Sequence, residues 1–122
     1  MTRKEKTLKI ADLRRKLKRI NVLVKILEKR WTKEVYSKTT RRYHYITEYV
    51  VGDETGIISL VVWNESKNLK LGETYLLENV DVILYKSIPK IIVRDDSIAT
   101  IASENIAFSE INKTYRTRKE RY

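Results

Sequence analysis

Apolar and polar residues alternate along much of the chain, and this period of two predicts β-strands. Ile20, Val22, Val24 and Ile26 lie at every second position of a first strand that we expect to end near Glu28. Later segments rich in β-branched and aromatic residues predict four more strands. These are residues 41–51, 57–63, 74–86 and a last strand made of 89–94 and 97–102, either broken in two or folded as a hairpin.

Two segments around the first strand follow other patterns. Ile10, Leu13, Leu17 and Ile20 recur at three- and four-residue spacing, which predicts a short amphipathic helix or helical turn that caps a core. Residues 29–43 carry six basic and three aromatic residues without a sustained period. We expect them to form a long loop or a twisted hairpin tip.

Glycine and proline mark the predicted turns. GDETG joins the second and third strands and fits a type I turn in which Gly56 takes a left-handed conformation. Gly52 stands at a strand end, where glycine predicts a bulge or a sharp bend. Gly72 is expected to end a short helix or turn after the third strand, and Pro89 is expected in a turn after the fourth.

The alternation also assigns one side of the sheet to the aromatic residues at strand ends. In the third strand Ile58, Leu60 and Val62 share one face, so Trp63 lies on the opposite face. The fourth strand divides in the same way, with Val80, Val82 and Leu84 on one side and Asp81, Ile83 and Tyr85 on the other.

Five strands, with a long connection after the first and a short element between the third and fourth, describe a small closed barrel. The expected fold is therefore all-β, a five-stranded barrel with a short N-terminal helical turn and basic tails. We expect a basic arm over residues 1–7, the barrel domain over 8–102 and a C-terminal segment with a basic tail over 103–122.

The composition is that of one soluble globular domain. The chain has 122 residues, 42% of them apolar, and no apolar run approaches the length of about 20 residues that a membrane helix needs. Its charged N-terminus lacks the apolar region of a secretory signal, so we expect a cytoplasmic protein. The absence of cysteine excludes zinc fingers, thiol nucleophiles and disulfides. Abundant Lys, Arg, Glu and Ile without any glutamine is a balance typical of thermophilic proteins.

The net charge of +10 is unevenly distributed. Residues 1–30 carry twelve Lys or Arg and three acidic residues, whereas residues 49–111 carry five basic and ten acidic residues. Residues 31–48 and 112–122 are again net basic. Basic ends around an acidic middle predict a polyanionic partner along one face, either nucleic acid or an anionic membrane, with a merely solvated surface as the alternative.

A resemblance to a known family rests on the segments KIADLRRKLKRINVLVKILE, VVGDETGIISLVVWNE and LKLGETYLLENV, followed by a Tyr-Lys pair. Together they resemble the single-domain OB-fold single-stranded-DNA-binding proteins of archaea, relatives of the replication protein A DNA-binding domains. The resemblance covers about residues 8–102, and VGDETG with a Trp seven residues after its last Gly is its most specific part. It implies that Trp63 stacks on a base and that Tyr85 does so from the fourth strand. Asp81 replaces one aromatic residue of the family pattern.

Binding of a single strand without sequence preference needs flat aromatic faces for the bases and cations that follow the phosphates. Trp31 lies in the basic connection that flanks the cleft of an OB barrel. Tyr45, Tyr49 and Tyr75 are expected in the core. The candidate stacking residues are Trp63, Tyr85, Trp31, Tyr36 and Tyr43, and the candidate phosphate contacts are Lys25, Lys33, Lys38, Arg41, Arg42 and Lys86.

Enzymatic chemistry is not indicated by the sequence. His44 is the single histidine, so no histidine-based metal cluster or triad is available, and we expect a structural or surface role for it. The acidic pairs 53–54 and 95–96 fall in predicted turns, where Asp is favoured for backbone reasons. No glycine-rich phosphate loop or nucleophile motif occurs. We therefore expect no catalytic site, no metal and no cofactor.

The sequence predicts a protein that coats single-stranded DNA with little sequence preference in replication, repair or recombination, without membrane contact. One alternative is an RNA-binding OB domain, because stacking and phosphate contacts serve both polymers. Another alternative is a protein-interaction OB subunit of a larger complex. In that case Ala107, Ile111 and Tyr115 would form the stripe of a docking helix.

Overall fold

The chain is described by a computed structural model that covers residues 7–64 and 67–113. A two-residue strand, β1 (Thr7–Leu8), precedes a 3-10 turn at Ile10–Asp12. The long strands are β2 (Leu17–Ser37), β3 (Arg42–Asp53), β4 (Gly56–Trp63) and β5 (Thr74–Tyr85). They are followed by β6 (Ile88–Val93), β7 (Ile98–Ile101) and a second 3-10 turn at Phe108–Glu110.

Five strands hydrogen-bond in a closed ring, in the order β2, β3, β4, β6, β5 and back to β2. Strand β2 closes the ring, because residues 17–25 pair with β5 and residues 25–37 pair with β3, both antiparallel. β4 and β6 pair in parallel. β7 pairs with β5 beyond the end of the β6 pairing, so the last strand is broken in two. The predicted all-β architecture with five barrel strands is confirmed.

The core fills the inside of this ring. Ile58, Leu60 and Val62 are buried in it, as the alternation along β4 predicts. In β5 the alternation breaks at Asn79, which has a φ of 62°, so that Leu77 and Val80 both face inward although they are three residues apart. Leu84 was expected on the inner face but is exposed. β5 extends past the core at this point, so no apolar surface remains for Leu84 to cover.

The predicted amphipathic helix is reduced to the 3-10 turn at Ile10–Asp12. Ile10 and Leu13 are fully buried in the core, whereas Leu17 and Ile20 belong to β2 and pack against the edge of that core. A left-handed residue between them, Arg19 with a φ of 54°, coincides with a break in the pairing with β5. This break is a β-bulge, and it separates Leu17 and Ile20 by three residues within one strand. The prediction interpreted that three-residue spacing as helical.

Residues 29–43 form the outer part of a β-hairpin and not a loop, which supports the second of the two interpretations of this segment. Pairing between β2 and β3 continues to Ser37 and Arg42. The hairpin closes where the Arg41 backbone N–H donates to the Ser37 carbonyl oxygen at 2.8 Å. Arg41 itself has a φ of 60°. This part of the hairpin projects beyond the core, so neither face needs the apolar alternation that identifies a strand.

A buried carboxylate organises the turn between β3 and β4. Asp53 is 1% exposed, and its Oδ1 accepts hydrogen bonds from the Thr55 backbone N–H at 2.7 Å and hydroxyl at 2.6 Å and from the Gly56 N–H at 3.2 Å. Its Oδ2 accepts from the Ile10 N–H at 3.0 Å. Asp53 pairs with Gly56 across a two-residue turn. The predicted left-handed conformation of Gly56 is wrong, because its φ is not positive.

Gly52 is required for space. A Cβ at this position would lie 2.9 Å from Ile111 Cγ2, 3.0 Å from Leu27 Cδ1 and 3.1 Å from Ile57 Cγ2. β3 pairs regularly at Gly52, and the irregularity falls on the facing strand at Leu27. The predicted bulge is therefore on the neighbouring strand, and glycine serves here for close packing.

Gly72 lies in a turn, as predicted, whereas Pro89 does not. Gly72 has a φ of +85° in the connection before β5, and residues 67–73 contain no helix. Pro89 was expected in a turn but lies inside β6, and the turn is formed by Lys86 and Ser87, whose φ values are 52° and 70°. Proline is tolerated there because β6 pairs with β4 only from Lys90 onward, so no hydrogen bond is lost on that side.

Residues beyond the predicted domain end at 102 contact the barrel. The Asn105 side chain accepts a hydrogen bond from the Thr74 hydroxyl at 2.5 Å, and Ile111 is buried. Ile111 was expected on an exposed docking stripe, but it packs against the barrel of its own chain. Ala107 stands before a 3-10 turn in place of the expected helix, and Tyr115 lies outside the described residues, as do residues 1–6 of the predicted arm.

We expect Asp53→Asn to lower the free energy of unfolding by about 2 to 3 kcal/mol, because an amide has one acceptor oxygen where the carboxylate has two and places an NH2 group against backbone donors. Chemical denaturation measures the change. The control is Asp95→Asn in an exposed turn, which should alter stability by less than about 0.5 kcal/mol. Equal stabilities of the two variants would contradict this role for Asp53.

Candidate nucleic-acid interface

Outward-facing residues of the five ring strands stand side by side across the barrel. The strand register aligns Trp31 of β2 with Glu48 of β3, and Glu48 with Val61 of β4. It continues from Val61 to Ile92 of β6 and from Ile92 to Asp81 of β5. The ring closure thus assembles one row from residues that are far apart in the sequence.

A groove of about 320 Å³ runs along this row, and we call it the outer groove. Three aromatic residues from three strands line it together with two lysines, one glutamate and several aliphatic side chains. Its principal residues are Trp31, Trp63, Tyr85, Lys33, Lys90 and Val61. The structure therefore brings Trp63 and Tyr85 to one surface, as strand parity and the family resemblance predict.

Trp63 is held in place by a polar network at the end of β4. Its indole meets the His44 ring edge-on, with 5.5 Å between ring centroids and 71° between planes. His44 Nε2 lies 2.8 Å from the Thr40 hydroxyl, and Nδ1 lies 3.1 Å from the Asn64 Nδ2. The Asn64 Oδ1 accepts from the Tyr45 backbone N–H at 3.1 Å. A half-buried indole supported in this way lines the outer groove with little freedom to rotate.

Tyr85 lines the outer groove beside the two-residue turn after β5. It is 54% exposed, with Lys86 Nζ 5.4 Å and Lys90 Nζ 5.2 Å from its ring centroid. Both distances are within the range of a cation–π contact. An exposed ring flanked by two ammonium groups offers a base a stacking surface next to cations for its phosphates.

The β2–β3 hairpin supplies the remaining predicted contacts. Lys33 Nζ lies 5.0 Å from the centroid of the Trp31 ring. Farther out, Tyr36 and Tyr43 are exposed and meet edge-on at 5.0 Å. The tip of the hairpin carries three exposed cations outside the outer groove, Lys38, Arg41 and Arg42.

Lys25 does not belong to this surface, which corrects its assignment as a phosphate contact. It is 2% exposed, and its Nζ donates to the Gly72 carbonyl oxygen at 2.8 Å and to Asn105 Oδ1 at 3.3 Å. The same ammonium lies 4.4 Å from the Phe108 ring centroid. The segment after β7 covers Lys25, and Asn105 of that segment accepts a hydrogen bond from its ammonium group. Lys25 therefore cannot contact the phosphates of a bound strand.

Two of the three tyrosines that were expected in the core are buried there, and the third is exposed. Tyr49 and Tyr75 are buried in it. Tyr45 is 51% exposed, because it lies on the part of the hairpin that extends beyond the barrel. It has the inward parity of Tyr49 but no core to enter.

Sequence reasoning missed Lys90 and Glu48, which both line the outer groove. Lys90 Nζ lies 3.1 Å from Glu48 Oε1. The alternation of buried Ile91 and Val93 placed Lys90 on the outer face, so the parity argument used for Trp63 was sufficient to find it.

The end of the row on β5 is an ion pair. Asp81 is hydrogen-bonded by Arg94 and, at 3.0 Å, by the Arg19 backbone N–H. Burial raises the pKa of Asp81, but these hydrogen bonds and the charges of Arg94 and Lys18 lower it more, so its pKa lies below the ordinary value of 3.8. Asp81, at the position where the family resemblance implies an aromatic residue, thus belongs to an ion pair.

The described part of the chain contains neither a metal-binding cluster nor a membrane-spanning helix. Within residues 7–64 and 67–113 no group of three His, Cys, Asp or Glu side chains is placed to hold a metal ion. The same residues contain no helix that is long and apolar enough to cross a membrane.

The chain matches a known family. The family model described as "Single-stranded DNA binding protein Ssb-like, OB fold" matches residues 13–101, and the chain belongs to this family. The chain is 30% identical over 79 residues to the single-stranded DNA binding protein Ssb of Saccharolobus solfataricus, an alignment that covers 64% of this chain and 52% of that protein. The chain thus spans about half the length of this curated relative.

Solved structures confirm the OB fold. An OB domain from Methanosarcina mazei is 27% identical with a TM-score of 0.65, covering 85% of this chain and 90% of that domain. The second OB-fold domain of replication protein A from Methanococcus maripaludis is 20% identical with a TM-score of 0.65, covering 84% and 100%. A replication protein A heterotrimer bound to single-stranded DNA matches at 12% identity and a TM-score of 0.61, covering 79% and 24%.

We expect Asp81→Asn to lower stability at pH 7 by about 1 kcal/mol and to make it less sensitive to acid. The pKa of the folded carboxyl lies below 3.8, so its stabilisation is present above the unfolded pKa and is lost as the pH falls through the folded pKa. Thermal melts between about pH 7 and pH 2 measure this, with Asp96→Asn as a control in an exposed turn. Parallel pH profiles of Asp81→Asn and the parent would contradict the assignment.

Proposed function

We propose that this protein binds single-stranded DNA through the outer groove, by base stacking and phosphate contacts that are largely independent of sequence, and that it protects the strand in replication, repair or recombination. One observation carries the proposal. Trp31, Trp63 and Tyr85 come from three different strands and line the same groove with Lys33 and Lys90.

The aromatic residues suit a flexible strand better than a rigid ligand. Each base of a single strand has a π-face, so separate rings can accept successive bases without reading their edges. Trp31 lies at the hairpin side of the groove and Tyr85 at the β5–β6 turn, with Trp63 on β4 between these elements in the ring order. We infer that the strand crosses the barrel from the hairpin toward this turn.

The positions of the lysines beside the aromatic rings favour contact with the phosphates of a bound strand. Lys33 and Lys86 each lie within 6 Å of a groove aromatic ring, so a stacked base brings its phosphate close to an ammonium group. The hairpin tip adds three exposed charges beyond the groove. This supports an electrostatic path that continues from the barrel onto the hairpin.

Titration of tryptophan fluorescence with oligo-dT, followed by competition with oligo-rU, tests the proposal directly. We expect quenching at saturation, and we expect oligo-rU to displace the bound oligo-dT only at a large excess. Stronger competition by oligo-rU would favour the RNA-binding alternative, and the absence of any binding would refute the proposal.

We expect Trp63→Ala to weaken binding of oligo-dT by about 1 to 3 kcal/mol, which is the usual contribution of one base–aromatic stack. Fluorescence anisotropy of a labelled oligonucleotide measures the affinity, and thermal melting checks that the barrel remains folded. Tyr45→Ala is the matched control, because it removes an exposed aromatic ring from the neighbouring strand outside the outer groove. Equal affinities of the two variants would remove Trp63 from the interface.

We expect affinity to fall with salt, with a log–log slope of about −0.7 for each phosphate that a cation neutralises. Replacing Lys38, Arg41 and Arg42 together by serine should weaken binding of all sequences alike and make the slope shallower by about 2. The control replaces Lys67 and Lys70, which lie outside the outer groove and the hairpin. An unchanged slope in the hairpin variant would show that the tip does not contact the strand.

A further inference from the structure

The floor of the outer groove contains a buried carboxylate. Glu48 is 4% exposed and stands in β3 between Trp31 and Val61. It lines the outer groove together with the aromatic residues. A negative charge at this place opposes the binding of phosphates, so a role in phosphate binding does not explain it.

The hydrogen-bonding capacity of Glu48 is mostly unused. An ionised carboxylate has about four acceptor positions on its two oxygens. Among the described residues, Glu48 receives one contact, from Lys90 Nζ to Oε1 at 3.1 Å. No hydrogen bond reaches Oε2 from these parts of the chain. A buried acceptor without a donor is costly, and such a group facing a groove is ready for a donor on a ligand.

The donors of a single strand are on its bases. Phosphates carry no N–H group, whereas the Watson–Crick edges of unpaired bases are free to form hydrogen bonds. A base stacked beside Trp31 or Trp63 presents that edge to the floor of the groove, where Glu48 accepts and the Lys90 ammonium donates. The floor thus combines acceptors with one adjacent donor.

This combination matches one base better than the others. Guanine presents two neighbouring donors, its N1–H and its 2-amino group, next to one acceptor, O6. Cytosine and adenine offer a single amino donor next to a ring acceptor, and thymine offers a single N–H between two carbonyl oxygens. A carboxylate with a lysine beside it can satisfy all three positions of the guanine edge and fewer positions of any other edge.

We propose that Glu48 and Lys90 form a base-reading position within the outer groove that prefers guanine. The proposal rests on the proposed binding of single strands and adds one selective position to an otherwise sequence-tolerant site. Glu48 accepts from the guanine N1–H and 2-amino group, and Lys90 donates to O6. The selectivity comes from burial, because an unsuitable base leaves the buried carboxylate without donors for its free acceptor positions.

A purely structural ion pair is the contrasting explanation. In that case Glu48 would only neutralise Lys90, and removal of the buried negative charge would strengthen binding of every sequence equally. The two explanations differ in whether the identity of one base changes the effect of the substitution. That difference defines the experiment.

The experiment uses oligo-dT of about 15 nucleotides, near the upper end of the range that one OB fold covers, with a single central dG, inosine, dA or dC. Inosine keeps the N1–H and O6 of guanine but lacks the 2-amino group. Affinities are measured by competition against labelled oligo-dT for the parent protein, Glu48→Gln and the control Glu34→Gln, which removes an exposed carboxylate of β2 outside the outer groove.

We expect the parent protein to bind the dG oligonucleotide about tenfold more tightly than the inosine one, the effect of one hydrogen bond to a charged group. Glu48→Gln should reduce this ratio to less than about twofold, while Glu34→Gln should preserve it. Equal affinity of the parent for dG and inosine would overturn the proposal, even if Glu48→Gln fails to fold. A dG preference that persists in folded Glu48→Gln would overturn it too. Failure of oligo-dT itself to bind would instead refute the proposed function.

Discussion

The pairing of β2 with both β3 and β5 is the constraint on which the rest of the structure depends. A strand bonded on two sides closes the ring, and a closed ring has an inside and an outside at every position. Residues of one parity then form the core and those of the other parity form the outer surface. The register breaks at Arg19, Leu27 and Arg30 allow one long strand to turn from one partner to the other. The outer groove is the external consequence of the same closure, because it joins residues of all five strands.

Much of this arrangement was predictable where two physical signals agreed. In β4 the buried row Ile58, Leu60 and Val62 determined the side of Trp63, because a one-residue slip would expose the entire row. The β3–β4 turn was placed correctly, although Asp53 and not Gly56 determines its conformation. Sequence statistics assign turns to glycine, whereas a buried carboxylate that satisfies four donors depends on a distant partner, the N–H of Ile10.

The remaining features depend on contacts that a local pattern does not contain. The outer hairpin has no apolar face, so its strands have no hydrophobic period. Lys25 has the parity of a surface residue, but the segment after β7 covers it and supplies its hydrogen-bond acceptor Asn105. Tyr45 shows the opposite effect, since its inward parity leads to solvent where the core ends. In each case the outcome depends on whether residues that are far away in the sequence cover the side chain.

The distribution of charge suggests how one small barrel separates two kinds of contact. In the outer groove and at its edge the cations Lys90 and Arg94 are paired with Glu48 and Asp81, so the floor is close to electrical balance. The hairpin and the turn after β5 carry exposed cations without an acidic partner among the described residues, and residues 15–19 carry a further group of them. In the proposed complex, the hairpin and the turn after β5 therefore supply more long-range attraction than the floor, and stacking and hydrogen bonding select the base at the floor. Because the floor contributes little net attraction, the guanine preference that we propose depends on the match between donors and acceptors and not on the charge of the strand.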